Sequence, residues 1–429
     1  MKVILIVVIA FEIFLLFRAG YNLRRINYYL RGDNKAVKLI NGKIYILLPC
    51  HKEYEMLEST LEFFHKFTKE HSNVKVIIIT GREYENGKII KEDSYTRLNK
   101  ILEDKQFDNI SILFDTNKES TKAAKLNYAV KQISSDELNS NTYIGVYDFD
   151  AKPHNMTLNW IIDDIERRVK EKSKLPSIYQ QIPIILNGFN YKRLFVSIYS
   201  IWHIRRSLGI EGMPLIFKDS LKKIQYCMGS GMFIKYQDLV ELNGFPVYSD
   251  DIALGYKLFI RNKKEVVVPH VNSVYATTSF SQCKKQHLKI YHGLFKFWEI
   301  LREYEQEFGQ LPISKKIAMS VSVLFDVFNE WLECGVLFLC LVGLFSNPLY
   351  LLSYYISFSI VLAVYMFFFL FIKKKQCRTQ IPLFSTKCIY FLIGGFTSIL
   401  FRFYSLTLYF FKRKKIKSLF FESTSKKIK

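Results

Sequence analysis

Apolar residues along this chain fall into short and long runs. The short runs, Ile44–Pro49, Val74–Thr80, Ile110–Phe114 and Tyr143–Tyr147, alternate with amphipathic stretches such as Glu55–Lys69 and Lys122–Gln132. Short runs have the length of strands and the stretches between them that of helices. The alternation predicts an α/β domain over 43–306, with a mostly parallel sheet covered on both faces. Ligands of such sheets bind at the carboxyl ends of the strands, where Pro49, Thr80, Asp115 and Asp148 fall. The long runs lie at the two ends of the chain. Val3–Phe17 predicts an N-terminal transmembrane anchor over 1–20. Ile317–Phe345, Leu349–Ile372 and Cys388–Phe411 predict a C-terminal membrane region over 317–411, with a basic tail over 412–429.

Composition sharpens this picture. The chain has 429 residues and a formal net charge of +22, is 49% hydrophobic and is 16% aromatic. A basic, aromatic-rich chain can bind nucleic acid, but here the basic residues mostly flank apolar runs and no nucleic-acid recognition motif occurs. The expectation is a multi-pass protein of the cell membrane with its α/β domain on the cytoplasmic side, a membrane partner and no nucleic-acid partner. Seven scattered cysteines with no Cys-x-x-Cys read as reduced, packed thiols rather than a zinc site.

The chemistry concentrates at strand ends. Tyr143-Ile-Gly-Val-Tyr-Asp148-Phe-Asp150 is an apolar run that stops in two carboxylates. On a strand, alternate side chains share a face, so both would point into one site. Such oxygen ligands suit Mg²⁺ or Mn²⁺ holding a diphosphate, and a solvated strand end also accommodates them. Further pieces are Leu48-Pro49-Cys50-His51-Lys52-Glu53, Val76-Ile-Ile-Ile-Thr80-Gly81-Arg82-Glu83, Thr121-Lys122-Ala-Ala-Lys125-Leu-Asn127, Gly229-Ser230-Gly231, Leu242-Asn-Gly244-Phe245-Pro246, Ser249-Asp250-Asp251-Ile-Ala-Leu-Gly255 and Gln286-His-Leu-Lys289-Ile290. Taken singly, each has an ordinary reading: a helix-capping acid at Glu53, a solvated helix face at Lys122 and Lys125, turn glycines, and a helix cap at Asp251.

In this order, the pieces resemble the membrane-bound family 2 glycosyltransferases, the group that includes cellulose, chitin and hyaluronan synthases. The resemblance covers roughly Ile44 to Leu294 and implies a GT-A-like nucleotide-sugar-binding domain. It implies an inverting transfer from a nucleotide-diphosphate sugar, with a UDP-sugar the expected donor and a glycan or lipid acceptor. By the family's pattern Asp251 is the general base and Asp150 the ligand of a divalent cation, Mg or Mn. Glu53, Lys125, Asp148, Asp250, Gln286 and Lys289 are the substrate-binding positions. Three departures stand out. Lys52 replaces an asparagine; Thr80-Gly81 stands where a base-contacting aspartate is usual, with Glu83 the nearest substitute; and Lys289-Ile290 replaces arginine and tryptophan. The last removes a ring on which a sugar stacks, so single transfer to a lipid competes with polymer extension. An inactive membrane scaffold is the reading from another class. The Lys, Ile, Asn and Phe usage implies an AT-rich bacterial genome and a capsule or exopolysaccharide role.

Overall fold

The computed structural model describes residues 42–377 apart from 86–87, 118–120, 134–140, 186–193, 205, 208–226, 247–249, 278 and 344–347. Beyond that span it describes 6, 9–14, 16–17, 397–401, 403–405, 407–409 and 411. The chain forms β1 (Ile44–Pro49), α1 (Leu57–Thr68), β2 (Val74–Gly81), β3 (Tyr84–Glu85), β4 (Lys88–Ile89), α2 (Ser94–Asp104), β5 (Ile110–Asp115), α3 (Lys122–Gln132) and β6 (Tyr143–Val146). It continues through β7 (Lys152–Pro153), α4 (Thr157–Lys170), β8 (Ile178–Ile185), α5 (Leu194–Ile204), β9 (Met232–Lys235), α6 (Tyr236–Glu241), α7 (Ile252–Ile260) and β10 (Glu265–Val274). Helices α8 (Phe280–Phe295), α9 (Phe297–Phe308), α10 (Ile313–Gly343) and α11 (Leu349–Cys377) follow.

Eight strands make one sheet in the order β5-β2-β1-β6-β9-β8-β10-β7, and β3 and β4 form a separate hairpin. Pairings within β5-β2-β1-β6 are parallel, as is β8 with β10. β9 runs against both β6 and β8, and β7 against β10. The expected mostly parallel sheet therefore holds for its first half and becomes mixed in its second. Strand β1 shows why apolar runs form its centre: Ile44, Ile46 and Leu48 enter one core with Phe64, Ile161 and Ile165. Tyr45 and Leu47 enter the opposite core with Leu126, Ala129, Leu254 and Leu258. A strand buried on both faces reads as continuous apolar sequence rather than as alternation.

The terminal helices pack on the domain through α5. Its Ile201 is buried with Phe11, Val336, Tyr354, Phe358 and Ile399. Ser353 Oγ donates to Glu12 at 2.9 Å, joining the N-terminal helical residues to α11. Helix α10 begins at Ile313, earlier than the apolar run that predicted it, and so includes Lys315 and Lys316. Among the described residues no helix is long and apolar enough to cross a membrane, unlike the transmembrane helices expected from the apolar runs. In α10, Asp326, Asn329, Glu330 and Glu333 interrupt the apolar sequence. Much of the expected 1–20 anchor, residues 388–396 of the last apolar run and the 412–429 tail lie outside the described residues.

Candidate functional site

The loop after β1 is organised by one carboxylate. Glu83, 1% exposed, accepts from the Lys52 amide at 2.7 Å, the Ser94 hydroxyl at 2.7 Å, the Ser94 amide at 3.2 Å and the Tyr54 hydroxyl. Burial pushes the Glu83 carboxyl up, but the hydrogen bonds from Tyr54, Ser94 and Lys52 outweigh it and hold it below the usual glutamate value. Four donors fill the acceptor capacity of a carboxylate. Glu83 is thus a structural hub, not the free acceptor that a substitute base contact needs. It also anchors Lys52, whose φ of 57° places it in the left-handed region that asparagine tolerates better than lysine. The Lys52 ammonium donates to the Tyr84 carbonyl at 2.5 Å. Glu53 follows at the start of a short 3₁₀ turn, where its carbonyl accepts from the Met56 amide at 3.0 Å.

The carboxylates gather on the other side of β1. Strand β6 ends at Val146, so Asp148 and Asp150 sit in a turn closed by the Ala151 amide on the Asp148 carbonyl at 2.9 Å. This corrects the expectation that strand alternation aims both side chains one way. Asp148 reaches Lys122 Nζ at 2.8 Å, while Asp150 is 1% exposed and accepts from the Tyr275 amide at 3.2 Å. Lys122, near the start of α3, also donates to the Gly229 carbonyl at 2.7 Å and lies 3.3 Å from Asp250 Oδ2. Burial lowers the Lys122 pKa, but Asp148 and Asp250 more than reverse this and hold the ammonium well above the ordinary lysine value. Burial, opposed by Lys122 and reinforced by Asp251 and Asp148, pushes the Asp250 carboxyl up to about 6.

Asp251 caps α7, its Oδ1 accepting from the Ile252 amide at 2.7 Å. A Cβ added at Gly229 would stand 2.9 Å from Asp251 Oδ2 and 3.4 Å from Lys122 Nζ. Glycine there lets the backbone pass between the base candidate and the lysine. Asn127 of the α3 motif has a positioning role: its amide donates to the Phe245 carbonyl at 2.8 Å and accepts from the Phe245 amide at 2.7 Å. It thereby clamps the Gly244-Phe245 turn, in which Gly244 takes a φ of +84°.

A cleft of about 340 Å³ opens at this point, lined by Lys122, Asp148, Gly229 and Asp251 on one side. Gln286, Lys289 and Ile290 line it from α8, where spacings of three and four residues put them on one face. His203 lines it from the last turn of α5, and Arg206 from just beyond that helix. The structure thus brings together Asp148, Asp251, Gln286 and Lys289, with Asp250 behind Lys122. Glu53, Asp150 and Lys125 are not among the lining residues. Lys125 is 5% exposed and donates to the Cys50 carbonyl at 2.8 Å. Burial lowers its pKa against the raising influence of Cys50, Glu83 and Asp115. Lys122 holds the place in the cleft expected of Lys125, whose ammonium is drawn to the Cys50 carbonyl at the end of β1 instead. Sequence reasoning missed His203, Arg206 and Tyr275. The first two lie at and just after the end of a nearly uniform apolar helix, without any motif to mark them.

Among the described residues no three His, Cys, Asp or Glu side chains form a metal-binding group. The acids that line the cleft, Asp148 and Asp251, nevertheless offer hard carboxylate oxygens. That set fits Mg²⁺ or Mn²⁺ bound by one or two carboxylates and completed by substrate phosphates.

No family model matches the chain, and no curated protein matches it. Solved structures do. A mannosyltransferase from Pyrobaculum calidifontis, solved with GDP-Man and Mn²⁺, is similar at 13% identity and a TM-score of 0.51, over 92% of this chain and 99% of that one. Glucosyl-3-phosphoglycerate synthase from Mycobacterium tuberculosis matches over 58% of this chain and 78% of its own, at 13% identity and a TM-score of 0.36. TarS of S. aureus matches over 61% of this chain and 43% of its own, at 13% identity and a TM-score of 0.34. The whole-length likeness gives the chain the fold of a GT-A-type glycosyltransferase, a mostly parallel, curled α/β sheet.

Proposed function

We propose that this chain is a metal-dependent, inverting glycosyltransferase of family 2. It moves a hexosyl group from a nucleotide-diphosphate sugar to an acceptor at the membrane surface, in capsule or exopolysaccharide synthesis. The observation that carries the reading is Asp251 at the N-terminus of α7, across Gly229 from the Lys122–Asp148 pair and in one cleft with Gln286 and Lys289. Asp251 takes the proton of the acceptor hydroxyl as that oxygen attacks the anomeric carbon. The bond to the leaving diphosphate breaks in the same displacement, so no sugar–enzyme intermediate forms. Lys289 meets the departing diphosphate as a point charge, and Lys122 holds Asp148 and Asp250 in place. A divalent cation, held by Asp150 and Asp148, supplies charge neutralisation on the diphosphate when bound. The donor class extends to this chain what the Pyrobaculum enzyme was solved with.

Membrane attachment belongs to the same reading. Exposed apolar side chains crowd the terminal helices: Phe17 is 73% exposed, Leu324 64%, Phe338 65% and Leu349 62%. Apolar surface of this extent marks an interaction face, and the reading places it against lipid, with the domain of residues 43–306 on the cytoplasmic side. Ile290 in the cleft, where polymerases have tryptophan, favours single transfer to a lipid acceptor over chain extension.

The test is transfer by purified membranes offered labelled UDP- and GDP-sugars with Mn²⁺ or Mg²⁺. Label should move from one donor into product, only with metal and only with Asp251 intact. A ladder of sizes identifies a polymerase, and a single organic-extractable product identifies lipid transfer. Folded protein that binds nucleotide but transfers nothing favours the scaffold reading.

A further inference from the structure

The α5 side of the cleft has a chemistry that the reaction above leaves unused. Arg206 lines the cleft yet is only 4% exposed, and its guanidinium lies 5.6 Å from the ring centre of Trp202. Trp202 is 2% exposed and packs against the fully buried His287 at 3.8 Å between ring centroids. His287 in turn packs against Phe401 at 4.8 Å. Ser207, 2% exposed, meets His203 Nδ1 at 3.4 Å. The wall is therefore built from packed rings that hold a guanidinium, an imidazole and a hydroxyl beside one space. Across the cleft, the Lys122 ammonium is already shared among Asp148, Asp250 and the Gly229 carbonyl.

We propose that His203, Arg206 and Ser207 form a phosphate subsite for the acceptor, distinct from the site of the donor diphosphate. A planar guanidinium held with little exposure is suited to two parallel hydrogen bonds to phosphate oxygens, and a desolvated site strengthens them. The position favours the acceptor. The same α5 that ends at this wall buries Ile201 among Phe11, Val336, Tyr354, Phe358 and Ile399 of the terminal helices. A phosphate on a long apolar chain would meet the cations with its head and the exposed apolar side chains of those helices, such as Leu324 and Phe338, with its tail. The proposal rests on the glycosyltransferase reading for the word acceptor, but the phosphate site itself does not.

The experiment is equilibrium binding to the purified full-length protein with Mn²⁺, using UDP and GDP as donor-site probes. Dodecyl phosphate, glycerol 3-phosphate and dodecanol are the acceptor-side probes. Dodecyl phosphate is expected to bind the nucleotide-saturated protein and dodecanol is not. Arg206→Gln is expected to weaken dodecyl phosphate by about tenfold or more, and Arg206→Lys by less. Equal affinity for glycerol 3-phosphate assigns the phosphate to a soluble acceptor, and a clear preference for dodecyl phosphate to a lipid one. Displacement of dodecyl phosphate by nucleotide, or unchanged affinity in Arg206→Gln, overturns the inference. If Arg206→Gln does not fold, His203→Asn and Arg206→Lys carry the same contrast, and unchanged affinity in both overturns it. Failure of both nucleotides to bind overturns the glycosyltransferase reading instead, and the phosphate probes are then read on the unloaded protein.

Discussion

Acids flank the end of β1 on both sides, one buried hub and one partly exposed cluster, and the two behave in opposite ways. At the hub, Glu83 receives four protein donors and its carboxyl is held below the usual value. At the cleft, Asp148, Asp250 and Asp251 share Lys122, and the Asp250 carboxyl is pushed up to about 6. Both groups are tied into the fold by hydrogen bonds. The difference is that Glu83 is saturated by the protein, whereas the cleft acids crowd one another around one shared cation. A saturated carboxylate stabilises a loop. Crowded carboxylates beside open space are arranged for a proton, a cation or a substrate.

The largest effect should come from the cleft. Asp251→Asn is expected to lower sugar transfer by about 10²–10⁴-fold, the usual worth of a positioned base, with nucleotide binding retained. Near-normal turnover would break the contrast, because Asp251 would then be only the cap of α7. At the hub the cost should appear in stability. Glu83→Gln puts an amide among donors and is expected to cost about 2–3 kcal/mol in denaturant unfolding. A cost near zero would mean that the Lys52–Tyr54 loop does not depend on it.

Gly229→Ala tests the approach between the two sides of the cleft. The added methyl meets the end of the Asp251 side chain at 2.9 Å, which can swing aside. Transfer should therefore fall by about tenfold, since displacement of a base is costly, while the unfolding midpoint stays close to that of the parent. Loss of stability with transfer intact would place the glycine's role in the fold instead.

The smallest effects are those of pH, and their signs differ between the two regions. The Glu83 pKa is lowered on folding, so its contribution is present above its unfolded pKa and is lost as pH falls through the folded one. The Asp250 pKa is raised from 3.8 to about 6. Its folded state favours the proton, a contribution complete below 3.8 and lost as pH rises through about 6. Asp250→Asn should flatten the stability profile between those values by about 1–3 kcal/mol, and Glu83→Gln should flatten the acid limb below them. Urea unfolding across pH 3–7 distinguishes the two. Identical profiles for both variants would erase the distinction.

Much of the first half of the fold was legible in sequence. Ile44–Pro49 and Ile110–Asp115 form within a residue of the apolar runs that predicted them, because a strand buried on both faces must be apolar throughout. The antiparallel β9 was not legible. Met232–Lys235 is four residues long and gains its place only by pairing with β6 and β8. At the site, Asp251 and Gln286–Lys289 were found through their motifs and do meet in the cleft. His203 and Arg206 had no motif to give them away.

By itself, the sequence determined the long strands and helices in the first half of the domain, that carboxylates follow those strands, and that the two ends of the chain are apolar. Those properties are local: they depend on periodicity and on the character of neighbouring residues. Only the tertiary structure decided that Lys122 rather than Lys125 meets the acids. It also decided that Asp148 and Asp150 sit in a turn beyond β6 rather than on its strand face, and that Glu83 is consumed by a loop 31 residues away in sequence. Those outcomes depend on which acceptor a lysine reaches, on where a strand stops and on which donors a fold delivers, and each is set by packing between segments distant along the chain.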